Sequence, residues 1–290
     1  LSKSKGNAPL DPATLIATHS ADALRYWSAN ARLGTDTFFD SEELAASKRF
    51  LTKLWNASKF AISHLEDLKD IEDIDLSQAP AELLPIDRWM IERTNETFHR
   101  ASALLNEYEI GSARHEIDTL FWHDFCDNYI EIVKSRLYEP EIHGYEGRRS
   151  GQYALYYALL GILKMYAIYV PHITDYIYGE FFRKHEQAIS IHLLQWWQKG
   201  GKGDRDGGED DDSGDERDGD LSSEILLFGA EVKEAISAMR KYKSENNLSM
   251  RAEIDTLIVE HSPPFSDWFR QSAKDLKYCA NAKGVAFVPR

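Results

Sequence analysis

The chain has 290 residues, 43% of them hydrophobic, which suffices for a sizeable core; its two cysteines, Cys126 and Cys279, stand far apart without CxxC or His-rich neighbours, excluding a disulfide framework and a zinc knuckle. No apolar run reaches membrane-spanning length and no leader precedes a cleavage site, so a cytoplasmic location is expected and a membrane partner is not. The net charge of −14 argues superficially against a nucleic-acid partner, but its distribution matters more than its sum: ten acids and two arginines lie in DRDGGEDDDSGDERDGD, residues 204–220, and no DNA partner is expected.

The opening LSKSKGN has no apolar periodicity and reads, on the run alone, as a solvated, frayed terminus or as a mobile, phosphate-seeking loop. Four long amphipathic helices follow in FLTKLWNASKFAISHL, DRWMIERTNETFHRASALLNEYEI, ARHEIDTLFWHDFCDNYIEIVKSRLY and YALYYALLGILKMYAIYVPHITDYIYGEFF, each with apolar residues three and four apart. Pro80, Pro85, Gly111 and the GYEGRRSG turn separate them, and Pro171 should break the last, so an antiparallel bundle is expected. The acidic, glycine-rich stretch cannot offset the entropy of ordering and reads as a disordered insertion over 199–222. Beyond it EILLFGAEVKEAISAMRKYKSENN is helical, EIDTLIVE and GVAFVPR are strands, and FSDWFRQSAKDLKYC is a helix between them. The fold class is mainly α, a helical bundle with a small C-terminal α/β appendage; the expected domains are 1–36, 37–198, the insertion 199–222 and 223–290.

Leu1-Ser2-Lys3-Ser4 resembles the last four positions of the KMSKS signature of class I aminoacyl-tRNA synthetases, with Leu1 in place of methionine. SADALRYW, LTKLWNASKF, FWHDFCDNYIEIVKSRLY and VPHITDYIY are similar, in order, to segments of the valine, isoleucine and leucine enzymes, from the signature loop through the anticodon-binding domain. Ser20 departs from that pattern, standing where glycine is usual, and His172, Ile173 and Asp175 vary the last motif. Within the group ARLGTDTFFDSEELAASKRF is most like the valyl-tRNA synthetases, with the isoleucine enzymes as the alternative; a helical protein-interaction module without an RNA role is the rival from another class.

The resemblance implies a C-terminal part of a ligase that lacks the HIGH motif and the nucleotide-binding half, so this chain alone should be inactive and hold no cofactor. The parent would activate valine with ATP and Mg²⁺ and load it on tRNA(Val), and a monomer is expected. Lys3 would be catalytic, stabilising charge on the departing pyrophosphate, with Ser2 and Ser4 beside it on the ATP phosphates. Lys48, Arg49, Lys53, Asn56, Lys59 and Phe60 supply cations, an amide and a ring for unpaired bases and phosphates, and Lys134 and Arg136 would reach the tRNA backbone. No metal site is expected.

Other prominent residues read as structural. Leu51, Leu54, Trp55, Ala57 and Ile62 should pack the bundle, and Cys126, Trp122 and Tyr129 belong to its core. Asp127, Glu131 and Lys134 lie three and four apart and read as solvated ion pairs. Arg25 should bridge to an acid such as Asp22 or Asp36, His172 should be a satisfied interhelix histidine, and Trp196-Trp197 should close the bundle edge.

Overall fold

The computed structural model describes residues 11–31, 34, 39–66, 80, 83–196 and 216–290. The signature loop with Ser2, Lys3 and Ser4, most of the acidic stretch, and Trp197 lie outside them. The helices are α1 (Pro12–His19), α2 (Ala21–Ser28), α3 (Ser41–Ser63), α4 (Pro85–Asn106), α5 (Ile110–Thr119), α6 (Ile130–Tyr138), α7 (Pro140–His143), α8 (Tyr145–Tyr166), α9 (Pro171–Glu180), α10 (Arg183–Glu186) and α11 (Glu216–Glu245). A β1 (Ile254–His261), α12 (Ser266–Gln271), α13 (Ala273–Ala280), β2 (Ala282–Pro289) appendage follows, so the protein is mainly helical with a small α/β end.

The chain divides into two compact units, the first drawn from 1–72, 96–120 and 159–198. Its core is aromatic: Tyr26 of α2 stacks on Phe50 of α3 at 4.0 Å and 9°, and Tyr166 of α8 tilts against both. Tyr26 and Tyr166 donate hydroxyl hydrogen bonds of 2.7 and 2.8 Å to one carboxylate, Asp118, whose own pKa burial raises. Asp caps set the helix starts. Asp11 accepts from Ala13 and Thr14 at α1, Asp40 from Glu42 and Glu43 at α3, and Asp22 takes the His172 and Ile173 amides that open α9 after the break at Pro171. Ser20, between α1 and α2, has φ +81° and ψ 156°, backbone that only glycine adopts freely, which accounts for the glycine expected there.

The second unit comes from 73–95, 121–158 and 199–290. β1 and β2 run parallel, pairing Ile254 with Ala282 through His261 with Pro289, and α12 and α13 make the crossover. At the end of α11 the buried Lys243 ammonium donates to the carbonyls of Met250, Ala252 and Ala280 at 3.0, 2.8 and 2.7 Å, tying helix, loop and crossover together. Trp89 of α4, 1% exposed, lies against Gly229 of α11, where a β-carbon would fall inside the indole.

Several boundaries differ from those the sequence suggests. The GYEGRRSG stretch is not a turn: Gly144, at φ +88°, completes the reversal alone, and α8 resumes at Tyr145. Gly147 and Gly151 are helical and face Arg136, which takes the Gly147 carbonyl at 2.8 Å. Gly111 sits in the first turn of α5, and the break falls at residues 107–109. Between α5 and α6 the stretch Leu120–Tyr129 is π-helical rather than α. α11 begins at Glu216, inside the stretch read as disordered, and Ser272 divides the last helix in two.

Candidate nucleic-acid interface

α3 presents a run of cations after its acidic first turn. Between Leu44 and His64 it carries Lys48, Arg49, Lys53 and Lys59 and no acid, in a chain of net charge −14. Its buried side comprises Leu44, Ser47, Phe50, Leu54, Ala57, Ser58 and Ala61, so the cations fall on the opposite half. They do not form one patch. At 3.6 residues per turn, Arg49, Lys53, Asn56 and Phe60 make one ridge and Lys48, Trp55 and Lys59 another, about 100° round the helix. Lys48, Arg49, Asn56 and Lys59 are exposed; Lys53 and Phe60 are half-buried, with the Phe60 ring 4.7 Å from that of His64.

Trp55 corrects the expectation that it packs the core: it is 39% exposed and pairs with Tyr176 of α9, itself 58% exposed, at 5.7 Å between centroids. Leu54 and Ala57 are buried as expected, and Leu51 and Ile62 are half-buried.

Lys134 and Arg136 part company. Lys134 is half-exposed and bonded to Glu131 at 2.7 Å, while His123 lies 3.6 Å from Asp127, a solvated helix face. Arg136 is 2% exposed and cannot reach a phosphate, which corrects its assignment to the tRNA backbone. Its guanidinium grips Asp87 and lies 3.0 Å from Asp275, and Ser150 and Tyr129 also donate to Asp87. This network was missed, as was Asp124, wholly buried between Arg93 at 2.7 Å and Lys233 at 2.6 Å. Both leave a trace in the sequence. Asp124 falls three after Phe121 and one before Phe125, Arg136 four after Ile132 and one before Leu137, on apolar stripes where an ion demands a partner.

Arg25 is structural, but its partners are the carbonyls of Ile168 and Tyr169, at 2.8 and 3.2 Å, not an acid. The His172 ring is exposed rather than held between helices. Trp196 donates its indole N–H to the Lys164 carbonyl at 2.8 Å and meets Phe98 edge-on, closing an edge of the first unit. Cys126 and Tyr129 are buried; Trp122 is half-buried. Among the described residues no three His, Cys, Asp or Glu side chains stand together as for a metal ion, and no helix is long and apolar enough to cross a membrane.

The model of the anticodon-binding domain of tRNA ligases matches residues 87–258. The chain belongs to that family. The valine–tRNA ligase of Rickettsia felis is 34% identical over 99% of this chain and 31% of its own length, and that of Thermococcus kodakarensis 35% identical over 89% of this chain and 26% of its own. This anticodon-binding chain thus spans about a third of the length of the curated relatives it matches. A solved LeuRS chain from Agrobacterium radiobacter K84, in a ternary complex titled LeuRS-tRNA-LeuAMS, is 16% identical over 69% of this chain and 22% of its own, with a TM-score of 0.49. In the anticodon-binding chain the cationic α3 precedes the segment matched by the family model, whereas the Rickettsia relative extends along 99% of the chain.

Proposed function

We propose that this chain is the tRNA-docking part of a valine–tRNA ligase and that its helical region, residues 37–198, holds the anticodon loop of tRNA(Val). The exposed stretch of α3 from Lys48 to Lys59, which carries no acid, carries the reading, since it offers phosphate-pairing cations and the half-buried Phe60 ring in a chain otherwise dominated by negative charge. Arg49, Lys53, Asn56 and Phe60 form the ridge that meets the unpaired bases, with Phe60 stacking and Asn56 hydrogen-bonding a base edge. Lys134 takes a backbone phosphate once it leaves Glu131.

The whole ligase would activate valine with ATP and Mg²⁺ and transfer it to the tRNA terminus, and Lys3, Ser2 and Ser4 would hold the ATP phosphates there. Sequence similarity to the valine–tRNA ligases and membership of the anticodon-binding family support this reading.

Binding of valine and isoleucine tRNA transcripts over a range of salt concentrations tests it. Log affinity should fall linearly with log salt; Lys48→Glu and Lys59→Glu should each reduce the slope by about 1. The valine transcript should bind tighter. If neither transcript binds at low salt, the chain is not a tRNA-docking module.

A further inference from the structure

We infer that a second nucleotide site lies on the other ridge of α3, where Trp55 and Tyr176 form a stacking platform for one unpaired RNA base and Arg183 holds its phosphate. The inference rests on the tRNA-docking reading and adds a place on the protein that the sequence had assigned to the core.

Trp55 and Tyr176 are in ring contact and stand 39% and 58% exposed, which leaves much of both rings open to a planar ligand. Both edges of the platform open into concave surface. On the α3 side, Trp55, Lys59, Ile62 and Ile177 line a groove of about 260 Å³ together with two acids, Glu66 and Glu180. On the α9 side, Tyr176, His172, Arg183 and His192 line a cleft of about 580 Å³. Glu180 lines both concavities, so a flat ring on the indole or phenol face has concave surface to either side.

The charges favour a nucleotide over an acidic or apolar peptide. Lys48 and Lys59 share the ridge with Trp55, seven and four residues away. The Arg183 guanidinium folds back over Gly179, where a β-carbon would come within 2.9 Å of Nη2, and it makes no ion pair with a described residue. Of the acids in the cleft, Asp175 is spent on the Ser190 hydroxyl and the Ile191 amide at 2.6 and 3.0 Å, leaving Glu180. The α9 amides are closed to a phosphate because Asp22 already caps them, so the phosphate falls to Arg183. An aromatic face with cations beside it is the arrangement that holds single-stranded RNA, the ring taking the base and the cation the backbone.

The test uses the full chain and valine tRNA transcripts in which 2-aminopurine replaces one anticodon-loop nucleotide at a time. One probe should be quenched on binding; Trp55→Ala and Tyr176→Ala should abolish that quench and weaken binding at least fivefold, and Trp55→Phe should restore both. Arg183→Ala should weaken binding while leaving the quench. Circular dichroism of each variant checks the fold. Failure of the wild-type chain to bind at low salt overturns the docking reading and this site with it. Binding with every quench intact in Trp55→Ala and Tyr176→Ala overturns the platform alone.

Discussion

Arg136 clasps Asp87 through two nitrogens and two oxygens, Nη1 to Oδ2 at 2.7 Å and Nη2 to Oδ1 at 2.9 Å, with 2% and 0% of the two side chains exposed. Removing one partner leaves an uncompensated buried charge, so Asp87→Ala or Arg136→Ala should destabilise the second unit by about 3–5 kcal/mol, read as a loss of urea midpoint. tRNA affinity per folded molecule should stay unchanged in Arg136→Ala. A drop in affinity without loss of stability would return Arg136 to the RNA-facing set.

Gly229 tests how closely α11 meets α4. In a free helix glycine to alanine gains about 1 kcal/mol. Here the new methyl would enter the Trp89 ring, which is 1% exposed and has nowhere to go. Overpacking of this kind costs about 1–3 kcal/mol, so Gly229→Ala should lower the melting temperature and perturb the near-ultraviolet tryptophan signal. A raised melting temperature would show that the two helices are farther apart.

Ser20 offers the opposite sign. Its φ of +81° with ψ 156° is strained for any side chain, at about 1–3 kcal/mol, while its hydroxyl accepts the Ala23 amide at 3.3 Å as a weak cap. Glycine at such a cap loses only a few tenths of a kcal/mol. Ser20→Gly should therefore stabilise the first unit by about 1 kcal/mol in a thermal melt; destabilisation would mean the hydroxyl outweighs the strain.

How much of this was legible in the sequence depends on what each residue answers to. The helices were legible because Leu54, Ala57 and Ala61, or Ile117, Leu120 and Phe121, recur at helical spacing, and a proline such as Pro171 cannot continue the helix before it but suits the first turn of the next. The cations of α3 were visible too, but their division into two ridges needs the helical projection. Gly147 read as a turn residue because its reason is tertiary, the approach of Arg136. Trp55 read as core because composition favours it, yet its neighbours on α9 leave the ring half in solvent. Arg136 read as a surface cation because its acids, Asp87 and Asp275, are remote in sequence.

Asp275 gives the second unit a pH dependence. Burial pushes its carboxyl up to about 6, against the pull of Arg136, whose Nε stands 3.0 Å away in ion-pair contact but out of hydrogen-bond alignment. The unfolded carboxyl titrates near 3.9. Between about pH 4 and pH 6 the folded state therefore holds more proton than the unfolded one, and this group's contribution to stability falls as pH rises. Asp275→Asn should remove that slope. Urea midpoints of wild type and variant, measured across this range, should diverge with rising pH in favour of the asparagine form; a constant difference would place the folded pKa at the ordinary value.

Lys233 reaches the buried Asp124 carboxylate across 109 residues of chain. During synthesis Arg93 and Asp124 leave the ribosome together and meet early, while the second cation emerges only after the acidic stretch. Closing so long a loop is slow, so the nascent second unit waits with Trp89 unsealed until α11 is delivered. A chain released short of α11 would display that indole, a natural handle for chaperones and proteases to tell unfinished copies from complete ones.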